Sequence, residues 1–468
     1  MNNSKLNKIV FLLACAVAAV AYLPAALALP AFARQTGMAC SACHFQHFPL
    51  LNAYGRAFKS GGYTTVGTTQ GKVEGDRLSL PDTLNMAMLA SFGYEKTDQA
   101  PGVPSAGTLN PGNGRFYVPA NGGELSLFIG GRVSDNAGFL AELGTTGQAN
   151  AAAVPANQFS ANTGSSATGS AKLPLLFVVS EGTRAGIVPF TTDTRGPSYG
   201  FELLNTGANA VQLMSPVRGM NNAHSNAISA QQYIATDGGA TGMAFVIDNA
   251  RYFVNLTRFN QTVPGNASGG NASNLGSFYA RAAAIFDLGG WDTGVGVQNW
   301  GGSSYSSAAA AQLDTRATAI DGQMQGSLGG MPAGFYLTYA RAPYDATNVY
   351  DMAGTLTPGS FARSSLNIAA ELGVLPGVAT IGAAVRRGDS GVDDGSGANA
   401  TDNAFMLSLT YQLAQNMMVS LTHTTSSGSY WNLVNPYANV TPNPNPNGLT
   451  NSGLIGSRTT TLNVSTLF

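Results

Sequence analysis

Two thiols and an imidazole sit side by side in the run Cys40-Ser41-Ala42-Cys43-His44. Two cysteines spaced by two residues and followed at once by histidine form the attachment sequence of a c-type haem. The thiols can add to the two vinyl groups of one porphyrin, and the neighbouring imidazole then falls where it can bind the iron from the proximal side. The same pair could instead close a disulfide or supply half of a zinc site. Zinc needs further Cys or His ligands at short spacing, and the chain has only His44, His47, His224 and His423. A thioredoxin-like pair needs a βαβ setting, and none is legible here. The motif predicts one covalently attached haem c on Cys40 and Cys43, with His44 as proximal ligand to its iron.

Such a group must be exported and then enclosed. Residues 1–28 read as a cleaved secretory signal, with Lys5 and Lys8, an apolar run from Ile9 to Leu23 and a small-residue site at Ala26-Leu27-Ala28. Ala31-Phe32-Ala33 offers a second cleavage site. Cysteine usage fits an oxidising compartment. The 23 basic and 24 acidic side chains give no basic field, so no nucleic-acid partner is expected. Beyond the leader no run reaches the roughly 20 apolar residues of a membrane-spanning helix. Any passage through a bilayer must therefore be made by a closed barrel.

Composition and periodicity both point to one. Only 10% of the residues are charged and 58 are glycine, whereas a soluble domain is about a quarter charged and about 7% glycine. Bulky apolar residues alternate with polar ones in Phe405-Met406-Leu407-Ser408-Leu409-Thr410-Tyr411-Gln412-Leu413, and again in Met417 to Thr424. The same period of two recurs at Met86 to Tyr94, Leu125 to Ile129 and Phe335 to Tyr339, and it means strands. Short connections such as Leu413–Asn416 and Asp248–Arg251 alternate with long polar ones at 97–122, 146–170, 260–275, 388–401 and 426–456, the loop asymmetry of an outer-membrane barrel. The chain closes on Leu462, Val464, Thr466 and a terminal Phe468, which resembles the assembly signal of bacterial outer-membrane proteins. A propeller would show a repeat of about 40 residues, and there is none.

The expected fold is therefore all-β: a transmembrane antiparallel β-barrel of about 16 strands with a small N-terminal c-type haem segment plugging its lumen. The expected organisation is a signal peptide at 1–28, a monohaem cytochrome c segment at 29–80 and an outer-membrane porin-like barrel at 81–468. A segment of about 50 residues is too small to build a haem core unaided. Phe45, Phe48, Tyr54 and Phe58 can cover one face, and the barrel has to supply the rest.

The run Phe32-Ala33-Arg34-Gln35-Thr36-Gly37, the haem motif, and then Pro49, Asn52, Gly55, Arg56 and Phe58 strongly resemble the N-terminal segment of the fused monohaem cytochrome-porins of iron-oxidising bacteria. Val188 to Asp193 and Tyr199 to Gly207 look like further segments of that family. The resemblance implies an outer-membrane c-type cytochrome acting as an Fe(II) oxidase. It would take single electrons from extracellular Fe(II) and pass them through its haem to a periplasmic carrier, itself a c-type cytochrome.

The distal ligand is open between Met38 and His47, with Met86 and Met88 ranked lower and an empty sixth position also allowed; a methionine would raise the potential. Arg34, Arg56 and Lys59 are candidate contacts to the haem propionates. Glu124, Glu142, Asp193 and Glu202 are candidate lumen carboxylates for a hard cation. Two other functions fit the same residues: a general extracellular electron conduit for another donor or acceptor, and a solute porin with a haem-bearing gate.

Overall fold

The computed structural model describes residues 30–68, 70–76, 78–97, 114–120, 122–146, 168–193, 195–207, 229–261, 275–306, 311–351, 361–430 and 458–468. The signal segment and most of the long polar connections lie outside the described residues. Short helices among the described residues include α1 (Ala31–Thr36), α2 (Cys40–Cys43), α3 (Ala53–Ser60) and α4 (Ala230–Tyr233). A small antiparallel hairpin, β1 (Lys72–Gly75) and β2 (Leu78–Pro81), stands apart from the main sheet.

The first part of the wall is β3 (Met86–Thr97), β4 (Gly114–Pro119), β5 (Gly122–Ser134), β6 (Ala137–Thr146), β7 (Thr168–Lys172), β8 (Leu175–Ser180) and β9 (Thr183–Thr192). It continues with β10 (Ala240–Asp248), β11 (Tyr252–Asn260), β12 (Ser277–Asp287), β13 (Asp292–Ser306), β14 (Ala311–Asp314), β15 (Ala317–Leu328) and β16 (Met331–Ala342). It ends with β17 (Arg363–Leu375), β18 (Ala379–Asp393), β19 (Asn399–Ala414), β20 (Met417–Ser427) and β21 (Arg458–Leu467).

These segments, β3 to β21, hydrogen-bond into a closed barrel, sealed where β21 pairs antiparallel with β3 (Leu462 opposite Tyr94, Val464 opposite Phe92). Phe468 and Met88 exchange two backbone hydrogen bonds at that seam, of 2.6 and 2.9 Å. Segments outnumber full-height strands. β3 also pairs directly with β5 and β13 with β15, past the short β4 and β14, while β7 and β8 share one place between β6 and β9. The wall thus has about 17 strands, against the roughly 16 expected. Pairing is antiparallel except for the brief β4–β5 contact.

The alternation sorts the two faces. Phe405, Leu407, Leu409 and Tyr411 point outward and are exposed, as are Leu421 and Leu462, while Ser420, Thr422, Thr424 and Asn463 are buried inside. So many exposed large apolar side chains would be a defect in water; on a closed barrel they form the lipid-facing band. Among the described residues no helix is long and apolar enough to cross a membrane. The chain is an outer-membrane β-barrel in contact with lipid.

One expected loop is corrected. Residues 388–401 are largely strand, since β18 and β19 run on to a five-residue turn at 394–398. Carboxamides, hydroxyls and glycines there meet ladder partners such as Gly388 opposite Asp402, so polarity marks an inward face and not a loop.

Two pieces of chain fill the lumen. Residues 195–207, with a 3₁₀ turn at Pro197–Gly200, fold inward, and Phe201, Leu203 and Leu204 pack on Val188, Val246 and Phe253. α4 lies beside them, its N-terminus closed by a capping box between Ser229 and Gln232. The second piece is the N-terminal segment, described next.

Candidate functional site

Residues 30–68 lie across the short-turn end of the barrel, tied to inward-facing residues all round the wall. His47 Nε2 is 2.9 Å from Glu371 of β17, and Arg56 donates to Asp292 of β13 at 2.5 Å. Ser60 donates to Asp248 of β10, and Thr380 of β18 donates to the Gln46 carboxamide at 3.1 Å. Asn205 holds the Leu51 backbone from both sides, accepting from its N–H at 2.8 Å and donating to its carbonyl at 3.0 Å. Asp248 and Asp292 flank short turns, and Glu371 and Thr380 lie just before and after another, which places the segment at one mouth of the barrel.

Within it, α2 carries both cysteines. Their i, i+3 spacing puts the two thiols on one face of the turn, and both are free. Burial raises both thiol pKa values above the ordinary range. α3 is capped by the Asn52 side chain accepting from Gly55 N–H at 2.9 Å, and Asn52 N–H in turn donates to the Cys43 carbonyl at 3.0 Å. Gly55 sits where α3 crosses α2. A Cβ at that position would overlap the Cys43 carbonyl oxygen.

His44 follows α2 in an extended conformation, and its Nδ1 is 3.0 Å from the Leu50 carbonyl. An N–H donated there fixes the tautomer and leaves the lone pair on Nε2. Burial lowers the His44 pKa to about 4, outweighing the backbone carbonyls, so the ring is neutral at physiological pH.

Cys40, Cys43 and His44 open together into one cavity of about 350 Å³ between the segment and the wall, within the range of small-molecule and cofactor sites. Phe32, Phe48, Phe58, Tyr63, Leu89 and Leu140 give it an apolar lining. Phe48 and Phe58, two of the aromatic residues expected to cover a haem face, are thus in the lining. Phe45 instead packs beside Leu50 and Tyr336, and Tyr54 is exposed. The residues fit a c-type haem: two free thiols, a neutral imidazole with its second nitrogen unprotonated, and an apolar enclosure meet at one place.

The structure separates the other candidates. Both nitrogens of His47 are engaged, Nε2 by Glu371 and Nδ1 by the Phe48 carbonyl at 3.0 Å, so His47 is a strut to the wall and not a distal ligand. Burial works against its charge, and Glu371 outweighs burial, raising its pKa. Met38 lines the cavity and remains available, whereas Met88 points to lipid with Met86 on the same strand face. Arg34 donates to the Met86 carbonyl and Arg56 to Asp292; neither lines the cavity. Their long side chains reach the wall first. Lys59 does line it, joined by Lys172 and Arg195, which sequence reasoning missed. Those two come from β7 and the inward loop, and nothing local in the chain ties either to the motif.

No protein-family model matches the chain, and no curated protein matches it. Among solved structures, the in-vitro folded trimer form of OmpT, an outer membrane protein of Vibrio cholerae, is 10% identical with a TM-score of 0.44, covering 82% of this chain and 99% of that one. A porin refined at 1.8 Å is 13% identical with a TM-score of 0.42, covering 82% and 100%. A multiple mutant of the Rh. blastica porin is 12% identical with a TM-score of 0.40, covering 82% and 100%. The likeness is to outer-membrane porins.

The expectation of an Fe(II) oxidase is corrected accordingly. Among the described residues no group of three or more His, Cys, Asp or Glu side chains is placed to hold a metal ion. The carboxylates proposed for a hard cation are each engaged by protein donors. Glu142 accepts from Arg195 at 2.6 Å and Glu202 pairs with Arg281 at 3.0 Å; Glu124 accepts from Ser126 at 3.0 Å and Asp193 from Ser170 at 2.9 Å. Iron oxidation and a metal-binding centre built from side chains are withdrawn with it.

Proposed function

We propose that this outer-membrane barrel carries one covalently attached haem c at its periplasmic mouth and serves as an electron conduit between an extracellular redox partner and a periplasmic carrier, a c-type cytochrome by the resemblance of its haem segment. The observation that supports this reading is the convergence of Cys40, Cys43 and His44 on one lumen cavity. Bound there, the haem would supply reversible one-electron transfer.

The residues divide the work. Cys40 and Cys43 would hold the haem by thioether bonds, each S–H adding across a vinyl C=C so that nothing is released. His44, its Nδ1 held by the Leu50 carbonyl, would supply Nε2 to the iron, and the Met38 thioether in the same cavity is a further available ligand. His47, Arg56 and Asn205 anchor the segment to the wall, and the Phe201–Leu204 cluster keeps the lumen beyond it apolar. One electron entering on one side and one leaving on the other balances the traffic without bond chemistry in the protein.

The test is reconstitution of purified protein in liposomes that enclose a soluble oxidised c-type cytochrome, with a membrane-impermeant reductant outside. Reduction of the enclosed cytochrome that disappears in Cys40→Ser is the expected result. Free solute flux without electron transfer would replace the conduit by the porin with a haem-bearing gate.

A further inference from the structure

Two ammonium groups line the cavity with no carboxylate in hydrogen-bond or salt-bridge contact among the described residues. Lys172 is almost wholly buried; its Nζ donates to the Tyr199 carbonyl at 2.9 Å and lies 4.4 Å from the centre of the Tyr199 ring and 5.7 Å from that of Tyr63. These contacts hold the cation but leave its charge uncompensated. Lys59, on α3, makes no hydrogen bond or salt bridge from its ammonium to the described residues. Beside them Arg195 is neutralised by Glu142 and stacks over Tyr199 at 5.7 Å. Glu124 and Asp237 line the same cavity, and Glu202 lies near enough to Lys59 to act on its charge. A cation held with no carboxylate in contact is costly, and two at one cavity form a site suited to two anionic groups.

We infer that Lys59 and Lys172 receive the two propionate carboxylates of the proposed haem, with Arg195 alongside. The inference rests on the haem reading and replaces the expected Arg34 and Arg56. Charge-assisted N–H to carboxylate hydrogen bonds are the strong ones, and they would form only once the cofactor is seated. Burial agrees with an ammonium awaiting a partner, since it brings Lys59 down to about 8 against the pull of Glu202.

The test uses the full chain, made in a host that attaches haem c and purified in detergent, with Lys172→Met, Lys59→Met, Lys172→Arg and Arg316→Gln. Mass spectrometry of the intact chain comes first: a chain without the haem mass sinks the haem reading and this inference with it. With haem present, spectroelectrochemical titration gives the midpoint potential. Removing a cation beside the propionates favours the ferric form. Each Lys→Met change is expected to shift the one-electron reduction equilibrium about tenfold, a fall of about 59 mV. It should also make the potential depend on pH near neutrality, as the freed carboxylate takes up a proton. Lys172→Arg should restore both properties, and Arg316→Gln, on the exposed rim, should change neither. Haem-loaded Lys→Met proteins with unshifted, pH-independent potentials would overturn the inference alone. Should Lys172→Met fail to assemble, Lys59→Met decides, because its ammonium makes no bond the fold depends on.

Discussion

At the scale of single residues, the pair His47–Glu371 shows how a site is fixed by a partner far away in sequence. Both side chains are buried and 324 positions apart. The His47 pKa is raised above 6.5 because Glu371 outweighs burial. The stabilisation it gives is therefore fully present below the unfolded value of about 6.5 and is lost as pH rises through the higher folded value. Hydrogen exchange of residues 44–52, corrected for intrinsic rates, should show falling protection as pH is raised from about 6 to about 9. In Glu371→Gln that dependence should vanish, with docking weaker by about 1–3 kcal/mol; a dependence that survives would place its origin elsewhere. The thiols and His44 were legible because their chemistry lies within one short run. The reassignment of His47 from ligand to strut was not, since its partner follows only from barrel closure.

Elements carry the next level of control. α2 and α3 touch backbone to backbone at Gly55, and Cys43 and His44 take their positions from that contact. Gly55→Ala should force the helices apart, cutting the fraction of chain carrying the proposed haem several-fold while the barrel, whose ladder does not involve α3, still folds. Haem loading equal to wild type in that variant would show that the crossing is not needed. Period-two alternation made the strands readable from 405–413 and 417–424, because each residue meets a different solvent on each face. The same rule misled at 388–401, where polar inward residues resemble loop. It also missed 195–207: Phe201, Leu203 and Leu204 are buried in the lumen by an irregular segment whose apolar spacing alone does not distinguish it from a strand.

For the whole molecule, the question is whether the barrel is a pore. Barrels of 16–18 strands leave an aqueous channel when nothing folds inside. Here the N-terminal segment spans one mouth, and two buried apolar clusters, around Tyr233, Ile234 and Trp300 and around Phe201 and Leu204, occupy the interior. Water and ions entering would have to strip Arg281 from Glu202 and Asp321, or Arg386 from Asp402, pairs that are fully buried. Breaking such a pair costs about 3–5 kcal/mol when one partner is removed. We therefore expect single-channel conductance in planar bilayers at least about tenfold below that of an open 16-stranded porin. Cys40→Ser should be equally tight, since the seal is made by the chain and not by the proposed haem. Phe201→Ser with Leu204→Ser should raise conductance by wetting the inner cluster. If the unmodified protein conducts like an open porin, the lumen contacts are not a seal, and the molecule is a solute channel whose N-terminal segment moves aside.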